Sequence, residues 1–107
     1  DYDAVVFVGG TGATEYFDDP TAHALAKQAA QSNRLTAAIC LAPSILARAG
    51  LLQGKRATVY ASEAATLEAK GADYTGAAVE RDGNILTGEG PHAAKQFSQR
   101  LVEALAE

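Results

Sequence analysis

The sequence predicts an α/β fold with a parallel core sheet. Its apolar residues switch repeatedly between short unbroken runs, which are typical of strands buried on both faces, and the spacing of amphipathic helices. The resulting order is strand, helix, strand, helix, strand, helix, hairpin, helix, without a linker, a repeat or a low-complexity stretch. Strands and helices that alternate in this way form parallel sheets covered by helices. We therefore interpret residues 1–107 as one domain.

The first predicted unit is a strand followed by a loop and a helix. The apolar run Ala4–Val8 predicts the strand, which ends at Gly9 and Gly10. The glycine-containing loop that follows lacks the spacing of a dinucleotide or phosphate-binding loop. Two aspartates and a proline then predict the start of a helix over residues 20–33, whose apolar residues recur at helical spacing.

Two further strand–helix units follow, and both helices are expected to end at a glycine. In the second unit the strand is Leu35–Ile39 and the helix is Ala42–Ala49. In the third unit the strand is Arg56–Tyr60 and the helix is Ser62–Lys70. We expect Leu35–Ile39 and Arg56–Tyr60 to join the first strand in the parallel sheet.

The last part of the chain predicts a β-hairpin and a final helix. Residues 77–81 and 85–87 form the two arms, because Asp82-Gly83-Asn84 between them supplies the positive φ angles of a tight turn. The final helix starts near Pro91 and carries apolar residues along one face. Only three parallel strands and a hairpin are present, whereas doubly wound sheets usually have five or six strands. We therefore expect strands that precede Asp1 to be absent from this chain.

The composition narrows the range of functions. The 107 residues are 48% hydrophobic and carry a net charge of -4, without a basic cluster, so a nucleic-acid partner is not expected. No apolar run approaches the roughly 20 residues that span a bilayer, and no leader precedes the first strand, so we predict a cytoplasmic protein without a membrane partner. The sequence has no Met, which predicts that the chain begins downstream of a translation start.

The single cysteine, Cys40, is the main candidate for chemistry. One thiol forms neither an intrachain disulfide nor a multi-cysteine metal site, and the two histidines are scattered, so we predict no metal and no cofactor. Cys40 stands between a predicted strand and a predicted helix, the position of a nucleophile elbow, which is a tight turn that projects one side chain above the sheet edge. The nearby helix N-terminus predicts a lowered thiol pKa. A buried structural thiol is the alternative.

Other candidate residues follow strand ends at the same predicted edge. Backbone N–H groups of Gly9, Gly10 and Leu41 are candidates for an oxyanion hole, although the glycines also suit a sharp exit from the strand. His92 is a candidate catalytic partner of the thiol, or alternatively an exposed residue of the last helix's first turn. Thr11, Glu15 and Glu89 are the candidate residues of a substrate pocket.

Five stretches of the sequence carry a family pattern: residues 2–10, 37–43, 49–52, 54–58 and 82–87. In these stretches the chain resembles the ThiJ/PfpI superfamily of intracellular protease I-like, deglycase-like and glyoxalase III-like proteins. The resemblance implies a flavodoxin-like three-layer sandwich of the class I glutamine amidotransferase-like type, of which this chain would be the C-terminal two-thirds. It also implies Cys40 as the nucleophile or redox-sensitive thiol. A homodimer, or a second chain that supplies the absent N-terminal strands, is the expected partner.

Three departures from the family pattern concern the partners of the thiol. The family's acidic residue comes from an early loop that would precede Asp1. Protease-like members have a histidine directly after the nucleophile, where this sequence has Leu41, and many deglycase-like members have a histidine where it has Tyr60. The resemblance therefore implies Tyr60 as a catalytic candidate that donates a hydrogen bond, since tyrosine is a poor general base at neutral pH because its reference pKa is near 10.

Two functional hypotheses remain open from the sequence. In the first, Cys40 forms a covalent adduct with a small reactive carbonyl compound, as in a glyoxalase or deglycase, or with an acyl or amide group, as in a hydrolase. In the second, the protein is a non-enzymatic redox sensor or stress-response protein whose Cys40 is reversibly oxidised. A folded subdomain without activity of its own is a third possibility.

Overall fold

The computed structural model describes residues 4–9 and 17–106. The strands are β1 Ala4–Gly9, β2 Leu35–Cys40, β3 Arg56–Ala57, β4 Asp73–Tyr74, β5 Val79–Asp82 and β6 Ile85–Gly88. The α-helices are α1 Pro20–Gln31, α2 Pro43–Arg48, α3 Ala64–Ala69 and α4 Ala94–Leu105, and short 3₁₀ helices at Ala61–Glu63 and Pro91–Ala93 precede α3 and α4. The predicted α/β fold with a parallel sheet and helices is confirmed.

Four of these strands form the main sheet, in the order β1-β2-β6-β5. β1, β2 and β6 are parallel, and β5 is antiparallel to β6 across the predicted hairpin. In this register Gly9 lies opposite Cys40, and Ile39 lies opposite Gly88. The carboxyl ends of the three parallel strands therefore meet around Cys40.

The prediction that Arg56–Tyr60 is the third parallel strand of this sheet is wrong. Only Arg56–Ala57 is a strand, and it pairs with β4, which the sequence analysis missed. The segment beyond β3 is attached by side chains: the N–H of Thr58 donates to Oγ1 of Thr87 at 2.9 Å, and Oγ1 of Thr58 donates to the carbonyl of Ala77 at 2.7 Å. Both threonines are fully buried, so these bonds satisfy polar groups that have no access to water.

Two apolar cores lie on the two faces of the sheet. The α1-side core includes residues of α1, α2 and α3 and Ala38 of β2, whereas the α4-side core includes Ala37 and Ile39 of β2 and Phe97 of α4. Because successive residues of a strand point to opposite faces, β2 contributes to both cores. This explains its unbroken apolar sequence, and every residue of Leu35–Ile39 is buried.

The prediction that β1 is likewise buried on both faces is wrong for the described residues. Val6 is 39% exposed and Val8 is 77% exposed. Both point to the face that carries α4, and α4 packs mainly over β2 and β6. The expectation that a partner chain covers the edge of the sheet at β1 remains a prediction.

Helix α1 begins at the predicted aspartates and ends at a residue with a left-handed backbone. Oδ1 of Asp19 accepts a hydrogen bond from the N–H of Thr21 at 2.8 Å, which identifies Asp19 as the N-cap. At the other end Asn33 has a φ of 56°, and the N–H of Arg34 donates to the carbonyl of Ala29 at 3.0 Å. This is the Schellman arrangement, which satisfies carbonyls that the helix leaves unpaired. Within the described residues no helix is long and apolar enough to cross a membrane.

Replacing Gly88 by alanine is expected to destabilise the fold by about 1–3 kcal/mol, because it would overpack the α4-side core. A Cβ at this position would lie 2.8 Å from Cδ1 of Phe97 and 3.1 Å from Cγ1 of Ile39. Gly90→Ala is the matched control, because its added Cβ would make only ordinary contacts, the nearest at 3.5 Å from Cδ1 of Tyr60. Chemical denaturation measures both free energies of unfolding, and equal stabilities of the two variants would contradict this packing argument.

Candidate functional site

Cys40 occupies a strained turn between β2 and α2. Its φ is 65°, in the left-handed region that non-glycine residues rarely adopt. Such a conformation costs on the order of 1–3 kcal/mol and persists only where the surroundings enforce it. Here the carbonyl of Cys40 accepts a hydrogen bond from the N–H of Tyr60 at 2.8 Å, and the N–H of Ala42 donates to the carbonyl of Ile39 at 3.2 Å. The predicted tight strand-to-helix turn at Cys40 is present.

The environment of the thiol differs from the sequence prediction. Cys40 is half-buried and packs against the α4-side core. Burial raises the pKa of its thiol, because the thiolate loses contact with water. The predicted lowering of the pKa is therefore wrong in this structure. The adjacent helix α2 has only six residues, so its dipole is small.

Tyr60 and His92 both lie next to Gly90, and the backbone of Tyr60 contacts Cys40. The backbone of Tyr60 is hydrogen-bonded to Cys40, as described above, and its side chain is 48% exposed. A Cβ built on Gly90 would lie 3.5 Å from Cδ1 of Tyr60 and 3.6 Å from Nδ1 of His92. Gly90 thus separates the two rings, and its lack of a side chain leaves the space between them open.

Glu89 and His92 form a hydrogen-bonded pair at the same sheet edge. Glu89 directly follows Gly88, which lies opposite Ile39, so it continues the strand next to Cys40. Oε1 of Glu89 contacts Nε2 of His92, and the glutamate side chain is 24% exposed while the histidine side chain is 67% exposed. A carboxylate in this position orients the imidazole through the hydrogen bond at Nε2. The sequence offered both residues as separate candidates, and only the structure pairs them.

The predicted oxyanion-hole residues lie only partly within the described structure. Gly9 is buried at the end of β1, opposite Cys40. The N–H of Leu41 donates to the carbonyl of Gly9 at 3.2 Å, so a substrate oxygen would compete with that carbonyl for the donor. Gly10, Thr11 and Glu15 lie outside the described residues.

One polar contact near the site was missed by the sequence analysis. Oγ of Ser44 donates to Oε1 of Glu63 at 2.8 Å, and Ser44 is fully buried. The available signal was a serine within the apolar run Pro43-Ser44-Ile45-Leu46, since a buried hydroxyl needs a hydrogen-bond partner. The partner itself lies 19 residues further along the chain and has no local signature.

Two further polar residues have structural roles. His23 is half-buried, and its Nε2 contacts the carbonyl oxygen of Phe17 at 2.6 Å. Asp18 forms an exposed ion pair with Arg48 at 3.1 Å. Within residues 4–9 and 17–106, no three His, Cys, Asp or Glu side chains are grouped closely enough to hold a metal ion.

Comparison with known proteins gives one family. The model of the DJ-1/PfpI family matches residues 1–104. An uncharacterised protein from Methanocaldococcus jannaschii is 42% identical over 98% of this chain and 53% of its own length. Isonitrile hydratase from Pseudomonas putida is 36% identical over 96% of the chain and 45% of its own length. A glutathione-independent glyoxalase from Caenorhabditis elegans is 27% identical over 97% of the chain and 55% of its own length.

Solved structures give the same result. A ThiJ/PfpI domain protein from Brachyspira murdochii superposes with a TM-score of 0.96 at 31% identity, over 98% of this chain and 61% of that protein. The chain spans about half the length of the curated relatives that it matches. The described fold therefore corresponds to one part of these proteins.

The raised thiol pKa predicts how Cys40 reacts with iodoacetamide. Only the thiolate attacks, so the alkylation rate should rise with pH and reach half its maximum at a higher pH than that of an unstructured cysteine peptide with blocked ends, measured in parallel. Mass spectrometry quantifies the labelled fraction of the peptide that contains Cys40, and Cys40→Ser supplies the unlabelled control. A midpoint below that of the reference thiol would show that burial is not the main influence on the thiol pKa of Cys40.

Proposed function

The chain belongs to the DJ-1/PfpI family, and we propose that it acts through Cys40 on small reactive carbonyl compounds, as a glyoxalase-like or deglycase-like enzyme. The observation that carries the proposal is the position of Cys40. Its thiol stands in a strained turn at the carboxyl edge of the parallel strands, and Tyr60 and the Glu89–His92 pair lie at the same edge. Ligands of open α/β sheets bind at this edge. The glyoxalase among the relatives supports the choice of substrate class.

The proposed first step is addition of the thiol to an aldehyde. The sulfur of Cys40 attacks the carbonyl carbon, so that a carbon–sulfur bond forms and the carbon–oxygen π bond breaks. The thiol proton is transferred to the oxygen, which gives a neutral hemithioacetal. With a 2-oxoaldehyde, movement of a proton between the two substrate carbons and hydrolysis by water then release a 2-hydroxy acid and the free thiol. No oxidant or reductant is needed.

The buried thiol makes a proton acceptor necessary. Since burial raises the pKa of Cys40, most of the thiol is protonated at neutral pH and reacts slowly without a base. His92 is suited to this role because histidine is the side chain that most often transfers protons in enzymes, and the carboxylate of Glu89 contacts its Nε2 and orients the ring. In the proposal, His92 accepts the thiol proton and returns it to the oxygen, and the hydroxyl of Tyr60 donates a hydrogen bond to the adduct.

The same arrangement favours carbonyl chemistry over the two alternatives. Oxidation by peroxide is fastest at accessible thiols with a low pKa, whereas Cys40 is half-buried with a raised pKa. Hydrolysis of an amide requires stronger stabilisation of an oxyanion than addition to an aldehyde. The N–H of Leu41, one candidate donor for that purpose, already donates to Gly9.

Cys40→Ser is expected to abolish turnover of methylglyoxal by the whole protein, because a hydroxyl is a far weaker nucleophile than a thiolate. Product formation is followed by chromatography, and circular dichroism confirms that the variant folds. Unchanged turnover in Cys40→Ser would exclude the proposal. Selective oxidation of Cys40 by mild peroxide, without turnover by the unmodified protein, would favour the redox sensor instead.

His92→Gln is expected to lower kcat for methylglyoxal about 100-fold, the usual size of a general acid–base contribution, with a smaller change in KM. Glu89→Gln should lower kcat less, because it leaves the imidazole in place but removes the charge that orients it. His23→Gln is the matched control, since His23 contacts only the carbonyl of Phe17 in the described contacts. Equal kcat values for His92→Gln and His23→Gln would exclude His92 as the base.

A further inference from the structure

The segment of residues 60–63, here called the Tyr60 turn, is attached at both ends to the elbow region. At one end the N–H of Tyr60 donates to the carbonyl of Cys40 at 2.8 Å. At the other end Oε1 of Glu63 accepts a hydrogen bond from Oγ of Ser44 at 2.8 Å. The turn is closed internally, since the N–H of Glu63 donates to the carbonyl of Tyr60 at 2.8 Å. These three bonds form a closed connection between the Cys40 backbone and helix α2.

The bond between Ser44 and Glu63 has the features of a strong anchor. Ser44 is fully buried, so its hydroxyl has no water to replace the carboxylate. Glu63 is half-buried, and a hydrogen bond to an ionised acceptor is about twice as strong as one between neutral groups. The bond joins α2, which begins directly after the elbow, to the turn that carries Tyr60.

The strained backbone of Cys40 gives this anchor a function beyond packing. A non-glycine residue with a φ of 65° relaxes unless neighbouring groups hold it. The carbonyl of Cys40 is held by the N–H of Tyr60, and the position of that N–H depends on where the Tyr60 turn lies. We propose that Glu63 and Ser44 are positioning residues, which hold the Tyr60 turn against the elbow and so keep Cys40 and the Tyr60 side chain in their reactive arrangement. This inference rests on the proposed function in taking Cys40 as the reacting group.

The test compares three variants of the whole protein with one control. Glu63→Ala removes the acceptor of the bond and Ser44→Ala removes its donor. Glu63→Gln retains an oxygen that accepts a hydrogen bond from the hydroxyl of Ser44. Glu68→Ala, at an exposed position of α3, is the control for loss of a nearby carboxylate. Two rates are measured for each protein: alkylation of Cys40 by iodoacetamide across the pH range, and turnover of methylglyoxal.

Release of the Tyr60 turn should admit water to the thiol. We therefore expect Glu63→Ala and Ser44→Ala to raise the alkylation rate at neutral pH about threefold or more, with a midpoint moved towards that of a free thiol. Turnover should fall about tenfold through kcat in the same two proteins. Glu63→Gln should restore both rates to near the wild-type values, and Glu68→Ala should change neither. The Ser44→Ala, Glu63→Ala double variant should match the single variants, because both act on one bond.

The inference is overturned if Glu63→Ala lowers the free energy of unfolding but leaves the alkylation profile unchanged, since the bond would then be structural only. Additive effects in the double variant would also overturn it. Failure of the proposed function gives a different result: the unmodified protein would not turn over methylglyoxal, while the alkylation profiles would still separate Glu63→Ala from Glu68→Ala.

Discussion

The hydrogen bond from the N–H of Tyr60 to the carbonyl of Cys40 is the contact on which the candidate site depends. Cys40 has a left-handed backbone that its own sequence does not favour, so its neighbours must hold it. The same bond brings the turn after β3 against the end of β2, next to the end of β6. A strained backbone, a thiol and the ring of Tyr60 are thereby placed at one edge of the sheet.

The support for this contact comes from buried side chains rather than from sheet pairing. The chain leaves β3 after two residues, and the side chains of Thr58 and Thr87 then hold it over the hairpin. Because this segment is not part of the main sheet, it can turn away from the sheet at Tyr60 and pass over the turn at Cys40. Buried polar bonds of this kind are specific in direction, so they determine one position of the segment where apolar contacts alone would allow several.

Electrostatics divide the proposed site into two parts. The thiol lies on the apolar side of the edge, where burial raises its pKa, and the Glu89–His92 pair lies on the exposed side. In the proposed function this division matches the chemistry, because the nucleophile is kept protonated until a neighbouring base removes its proton. In the proposed function the base is His92, which follows the end of the neighbouring strand β6, rather than a residue adjacent to Cys40 in the sequence.

The sequence by itself determined the local features: the strand β2 from its apolar run, the helix start at Asp19, the hairpin turn, and the strand-to-helix turn at Cys40. Each of these depends on residues that are close together in the chain, so periodicity and turn chemistry were sufficient. Only the tertiary structure decided that Arg56–Ala57 pairs with β4, that Val8 is exposed, that burial raises the pKa of Cys40, and that Glu63 anchors Ser44. These outcomes depend on which distant segments meet and how much water they exclude, and no pattern along a single stretch of chain encodes either.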